Sequence, residues 1–404
     1  MARVEGSLPR KGGFGPGWAV AAICLAVFGL QAAWLTWSGH VAADDFVQYW
    51  TAGRLVASGE SPYEPAQVLA LQRSAGWDEG APLMMSNPPW ALALAMPLGA
   101  PNYPTARLGW LALSLGAVVL SIGYLWRSQG GSGPWGWLAL AVGFAFLPVE
   151  FVLHMGQITP WVLLGVVGLL YFLGRRSWLA AGGCLALVML KPQVAYLALI
   201  ALLFWIVEQR RWRVLLGGAI GCAAGTAVAL AANPQVIGQY VRFETSYKLL
   251  QTAIAQTPAM QLRLAIDPRS VWPQFLPAAL AVIWLVAHWR RQRGLGRTWD
   301  WNREMPLLVL VSLATVPYAF LYDQSMLLIA IIPTVAWLAR DGRRRMGWGW
   351  AAFILAVNAL ILVPYLPGLH ASFLLIWPWV APALLAGYLV VRRTAQAGAT
   401  GPAM

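Results

Sequence analysis

Charge is what this chain has least of. Only 11% of its 404 residues are Asp, Glu, Lys or Arg, against about 25% in an ordinary soluble domain. So little charge cannot cover a water-facing surface, which excludes a soluble globule. Cysteine is scarce too. Cys24, Cys184 and Cys222 sit inside apolar runs with no paired spacing, which excludes a disulfide framework or a thiolate metal site. No P-loop or HExxH sequence occurs, and no repeat of solenoid period. Lysine is nearly missing: 25 of the 28 basic residues are arginine.

What the chain does have is apolar sequence in long runs, 59% hydrophobic residues with a mean hydropathy of +0.61. Gly17 to Trp37 and Pro306 to Tyr322 are examples. Roughly 20 apolar residues of helix cross a bilayer core. Lipid requires every backbone polar group to pair internally, so helices or a closed barrel are the available forms. These runs are continuous rather than alternating, which excludes the barrel. The fold class expected is an all-α polytopic membrane protein of about 12 transmembrane helices. The spans expected are 17–38, 104–126, 135–151, 158–174, 177–190, 192–207, 213–232, 272–289, 305–321, 324–339, 346–366 and 371–391. The first run is too long for a signal h-region and is expected to be retained. Many of the 24 tryptophans, Trp18, Trp37, Trp135, Trp178, Trp348 and Trp377 among them, lie near run ends, where an interfacial belt belongs.

The net charge is +13, but it comes in short clusters between apolar runs, which argues against nucleic acid as a partner and for membrane lipids. Placing Arg3/Arg10/Lys11, Arg127, Arg175/Arg176, Arg210–Arg213, Arg290–Arg303, Arg340–Arg345 and Arg392/Arg393 inside puts 20 of the 28 basic residues in the cytoplasm. Both termini are then cytoplasmic, and two long loops, 39–86 and 233–271, face outward in a single 1–404 membrane domain of the plasma (inner) membrane. Arg107 falls outside, as do Arg54, Arg73, Lys191, Arg242, Lys248, Arg263 and Arg269. The apolar stretch Asn87–Ala100 contains Pro88, Pro89 and Pro97 and reads as a re-entrant segment.

Ionisable groups near membrane depth mark function or a pairing partner. Asp44, Asp45, Glu150, His154, Gln157, Lys191 and Asp323 all fall at outer helix ends. In DDFVQYWTAGRLVASG, Asp44 is a candidate N-cap, Ser58-Gly59 a stop signal, and Asp45, Gln48, Tyr49 and Ala52 share a face at helical spacing. Asp45 is placed to act as a general base toward a hydroxyl. Lys191, beside Pro192, is placed to meet a phosphate, or else to snorkel to the headgroups. Asp44, Asp45 and Asp323 carry oxygen that a metal accepts, but their sequence spread makes no ligand set, so neither metal nor cofactor is expected.

Five stretches resemble glycosyltransferase family 87 in order: DFVQYWTAGRLVASGESPYEP (Asp45 to Pro65), NPPWALALAMPL (Asn87 to Leu98), HMGQITPWVLLG (His154 to Gly165), LKPQ (Leu190 to Gln193) and PYAFLYDQSMLLIAIIP (Pro317 to Pro333). QTPAMQLRL (Gln256 to Leu264) departs from the pattern. The resemblance implies the C-type glycosyltransferase fold. It implies a polyprenyl-phosphate-linked sugar donor, often mannose, and a lipid or glycan acceptor. Transfer would be a single inverting displacement with Asp45 as base. Asp44, Gln48, Tyr49, His154, Gln157, Lys191, Arg263, Tyr322 and Asp323 would surround the substrates. The rival reading from composition is a lipid or solute transporter or flippase. It requires the polar residues to line a central pathway, whereas transfer requires a cavity at one interface. A non-catalytic scaffold requires neither.

Overall fold

Long apolar sequence punctuated by proline and glycine gives helices that pack well but break often. The computed structural model describes residues 17–37, 44–131, 133–247, 255–366 and 372–399. Arg3, Arg10, Lys11, Lys248 and the side chain of Trp18 lie outside what is described. Of the described residues 79% are helical, and no strand occurs among them. The helices are α1 (Gly17–Leu35), α2 (Val47–Ala57), α3 (Pro65–Ser74), α4 (Leu92–Gly99), α5 (Tyr103–Ser128), α6 (Gly136–Ala145), α7 (Leu147–His154) and α8 (Thr159–Gly174). There follow α9 (Trp178–Gly183), α10 (Leu185–Val188), α11 (Tyr196–Gln209), α12 (Arg213–Ala232), α13 (Val236–Tyr247), α14 (Pro258–Ile266), α15 (Leu276–Gly294) and α16 (Trp301–Thr315). The last are α17 (Leu328–Arg340), α18 (Arg344–Leu362), α19 (Phe373–Ile376) and α20 (Val380–Ala399).

Each of the twelve expected runs contains helix, but the described residues hold seven helices long and apolar enough to cross a membrane, or eight if α6 and α7 count as one bent span. The protein is a multi-pass membrane protein; a count of twelve full spans is not what the helix lengths give. Run 177–190 is broken at Cys184 and ends in a turn at Met189. Run 305–321 stops as helix at Thr315, because Pro317 forces Val316 into extended backbone (ψ 135°). The apolar segment Pro89–Gly99, at about 1.5 Å per residue, is far shorter than a bilayer core. The span Leu321–Arg340 is central, with 83% of it buried inside the protein, whereas Arg213–Ala232 is 22% buried and shows its flank to the surroundings. Trp37, Trp135 and Trp348 are exposed at run ends, as a belt requires.

Contacts sort the helix ends into two groups. At one end, Glu304 at the start of α16 meets His288 of α15 and Arg392 of α20, and Gln129 beyond α5 meets Asn302 and Arg340. This end carries the arginine clusters. At the other end, the start of α5, the turn between α7 and α8, and the start of the Leu321–Arg340 span converge.

Broken backbone inside such a bundle needs partners. At the 71° bend between α6 and α7, the side chain of Asn358 from α18 accepts from the N–H of Leu147 at 3.1 Å and donates to the carbonyl of Ala145 at 2.5 Å. One amide thus replaces the two helix bonds that the bend removes.

The first long loop is tied down at its root. Arg107 of α5 is wholly buried and donates from Nε to Asp44 Oδ2 at 2.7 Å, and from Nη2 to the carbonyls of Leu153 and His154. Tyr103 donates to Asp44 Oδ1, which also accepts the N–H of Phe46. Asp44 is therefore not the N-cap expected of it. Helix α2 begins later, at Val47, with Phe46 in the cap position and no side-chain cap. Ser58-Gly59 does end the helix, Gly59 having φ +75°. α2 then lies against α4 so closely that a Cβ at Gly53 would run into the Ala95 carbonyl, and one at Gly99 into the backbone of Arg54.

Two outcomes follow for stability. Asp44→Asn leaves the buried Arg107 charge uncompensated and should cost about 3–5 kcal/mol, read as thermal unfolding of the detergent-solubilised protein. Adding Arg107→Met should recover most of that loss, since the pair is then removed together. Asn358→Leu strands two buried backbone groups and should cost about 2–4 kcal/mol by the same measurement.

Candidate functional site

The HMGQ turn builds the site. α7 ends at His154, and Gly156 takes φ +62°, a left-handed conformation that glycine adopts without strain. The N–H of Gln157 closes back on the Val152 carbonyl, and that of Gly156 on Leu153. A side chain at Gly156 would meet Phe46 Cβ at 2.6 Å and Arg107 Cζ at 3.1 Å. The turn therefore comes right up against the root of the first loop and delivers Gln157 to Asp45.

Gln157 donates from Nε2 to Asp45 Oδ2 at 2.6 Å. Its Oε1 accepts from the hydroxyl of Tyr49 at 3.1 Å and from Lys191 Nζ at 3.1 Å. Lys191 lies in the gap between α10 and α11, in extended backbone (φ −142°, ψ 70°) that Pro192 imposes on the residue before it. Its ammonium also donates to Thr159 Oγ1 at 3.3 Å and to Asp323 Oδ1 at 2.8 Å, and lies 4.7 Å from the centre of the Tyr322 ring. Thr159 in turn donates to Asp323 Oδ1 at 2.7 Å, while Asp323 Oδ2 accepts the N–H of Phe320 at 3.0 Å. Five residues from four separate parts of the sequence thus form one line: Asp45, Gln157, Lys191, Thr159 and Asp323.

Asp45 faces a cleft of about 830 Å³ that Asp44, His154, Trp77 and, from the end of α1, Trp34 and Trp37 also line. Burial raises the Asp45 carboxyl above the usual carboxylate range, opposed by the Gln157 hydrogen bond and by the charge of Lys191, and helped by the charges of Asp44 and Asp323. Burial also holds the Tyr49 phenol well above its ordinary value, so it stays a neutral donor to Gln157. His154 stacks on Trp34 with ring centroids 4.2 Å apart, and its Nδ1 has no partner among the described residues.

The structure brings together Asp45, Tyr49, Gln157, Lys191, Tyr322 and Asp323 of the expected set, with Asp44 and His154 beside them on the cleft. Gln48 instead turns back to donate to the Asp45 carbonyl. Arg263 is committed to its own loop, to the Pro268 carbonyl at 3.1 and 3.2 Å and to Gln274 Oε1 at 3.2 Å. The departing motif around it has a different use. Gln256 brackets the backbone of Ala319 and Leu321, and Thr257 and Gln274 hold the Pro317 carbonyl, which fixes the segment presenting Tyr322 and Asp323. Glu150 pairs with Gln31 of α1 at 2.6 Å, away from this network. Lys191 does not snorkel; its charge is spent on Asp323. Sequence reasoning missed Thr159, Tyr103 and the use of Arg107. For Arg107 the signal was present: a charge in the second turn of an apolar span needs a buried partner. Among the described residues no three His, Cys, Asp or Glu side chains converge as a metal site would require.

The family model for glycosyltransferase family 87 matches residues 86–300, just over half of the chain. That stretch contains Arg107, His154, Gln157, Thr159 and Lys191; Asp44, Asp45 and Asp323 lie outside it. No curated protein and no solved structure matches the chain. The match covers the part of the multi-pass helical bundle in which the HMGQ turn and the Lys191 break are built, and the chain accordingly belongs to glycosyltransferase family 87, as a membrane glycosyltransferase.

Proposed function

We propose that this protein transfers a hexose, mannose first among the candidates, from a polyprenyl-phosphate donor to an envelope glycolipid or glycan, with Asp45 as general base. The observation that carries this reading is the position of Asp45. Its carboxylate forms part of the wall of a cleft at one end of the bundle, held through a single oxygen by Gln157. In the reaction, Asp45 takes the proton of an acceptor hydroxyl as that oxygen attacks the anomeric carbon from the face opposite the phosphate. The bond from the anomeric carbon to the phosphate oxygen breaks in the same step, with inversion, and polyprenyl phosphate leaves. A phosphate leaving group needs charge neutralisation rather than a proton. His154 on the cleft wall can supply a hydrogen bond at that level, while Lys191 lies behind Gln157 with its own donors engaged by protein.

The cleft favours transfer over transport. Asp45 and His154 meet at one end of the bundle, beside the exposed flank of α1, where Leu30 and Trp34 present apolar surface that a lipid-linked donor would lie along. The arginine clusters gather at the opposite end, so by the positive-inside rule the cleft faces away from the cytoplasm.

Asp45→Asn should abolish transfer from a panel of polyprenyl-phosphate sugars to extracted envelope glycolipids, by at least the roughly 10²–10⁴-fold of a lost general base. The variant should remain folded; wild-type turnover in it would end the mechanism. Activity of the wild type should fall as pH drops through the raised Asp45 value, with the acid limb above the range of an ordinary carboxylate, because only the ionised form accepts the proton. For sidedness, single cysteines at Ser74 and Arg340, in a background lacking Cys24, Cys184 and Cys222, should label from opposite faces of the membrane. Labelling of both from one face would overturn the orientation.

A further inference from the structure

We infer that Gln157 is a positioning residue for the base: its amide holds one oxygen of Asp45 and leaves the other to the acceptor, and Lys191 fixes the amide in that sense. The inference rests on Asp45 being the base. Its grounds are geometric and chemical. An ammonium group only donates, so the atom of Gln157 that meets Lys191 at 3.1 Å must be the carbonyl oxygen. The amide then cannot be turned over, and its NH₂ must face Asp45 Oδ2, 2.6 Å away. Tyr49 adds a second donor to the same carbonyl from the buried face of α2, at 3.1 Å. Both lone pairs of that carbonyl are taken.

The other carboxylate oxygen, Asp45 Oδ1, accepts nothing among the described residues, and Asp45 lines the cleft. The two oxygens are therefore divided: Oδ2 is held by Gln157, and among the described residues Oδ1 is not held. Lys191 is similarly used up. An ammonium has three N–H groups, and they go to Gln157, Thr159 and Asp323. A lysine whose donors are all engaged by protein acts on the reaction through what it orients. Asp323, pinned by Thr159 and by the N–H of Phe320, is the fixed end from which the line Asp323–Lys191–Gln157–Asp45 is built. Gln157 thus serves the base rather than a substrate, although its place in the HMGQ motif leads one to expect a substrate ligand.

The test separates these roles. Transfer from synthetic polyprenyl-phosphate mannose to extracted membrane glycolipids is followed across pH for wild type, Gln157→Leu, the isosteric Gln157→Glu, and Asp45→Asn. Loss of the amide donor should move the acid limb of kcat upward by about 1–2 pH units in Gln157→Leu, the worth of one hydrogen bond to a charged group. Gln157→Glu should move it in the same direction, by placing a second carboxylate beside Asp45. KM for donor and acceptor should stay within about twofold, since no contact made by substrate is removed. An unmoved acid limb in a folded variant, or a KM rise of about tenfold or more with the limb in place, overturns the inference. Should Gln157→Leu fail to fold, Gln157→Glu, which keeps the shape and the oxygen that faces Tyr49 and Lys191, decides alone. If Asp45→Asn is inactive while the Gln157 limb is unmoved, only the coupling is wrong. If Asp45→Asn turns over normally, the base assignment itself fails and takes the inference with it.

Discussion

Two cations buried at one end of an apolar bundle, Arg107 and Lys191, set the terms for everything around them. A charge removed from water is tolerated only when paired and hydrogen-bonded. Arg107 meets this demand with Asp44 and two carbonyls at the end of α7. In doing so it fastens the root of the first loop to the turn that follows α7. Lys191 meets it with Asp323, Thr159 and Gln157. That second solution joins the α7–α8 turn, the break before α11 and the head of the central span. Asp45 stands where the two solutions touch, one residue from Asp44 and one hydrogen bond from Gln157.

The same economy governs the irregular backbone. Every break in a membrane helix frees donors and acceptors that lipid cannot satisfy. Here a polar side chain from elsewhere in the chain answers several of them: Asn358 at the bend after α6, and Gln256, Thr257 and Gln274 along Pro317–Leu321. The glycine turn at Gly156 satisfies its own backbone instead. Breaks held in this way keep these backbone groups paired. They therefore serve as mounting points for Gln157, Lys191 and Asp323, which uninterrupted helices of the same composition would not place within reach of one another.

The arrangement suits the chemistry proposed above, on a lipid-borne substrate. The cleft at Asp45 is walled on one side by Asp44, Asp45 and His154, and on the other by the apolar end of α1. On the proposed function, a donor anchored in the bilayer would reach such a cleft from the side, and an acceptor from the end. In the proposed role of base, Asp45 would present one oxygen while Gln157 holds the other.

Hydropathy and charge pattern determined much by themselves. Runs of apolar residues dictated helices, because lipid leaves the backbone no other partner. Scattered arginines dictated a basic end and an opposite, acidic end. The position of Asp45 just past the first run, and of Lys191 beside Pro192, marked both as residues needing a reason. The sequence could not say that Asp44 would answer to Arg107 rather than cap α2, since ion pairing across 63 positions depends on how helices pack. Nor could it say that Gln157 and Thr159 would stand between Asp45 and Asp323, or that Arg263 would turn inward to its own loop. Hydrophobic period fixes which residues are buried, but every apolar face can meet many others. The choice among polar partners is made only when packing brings particular helix ends to within about 3 Å of one another. Tertiary structure decided the site for that reason, and the sequence decided the kind of protein that carries it.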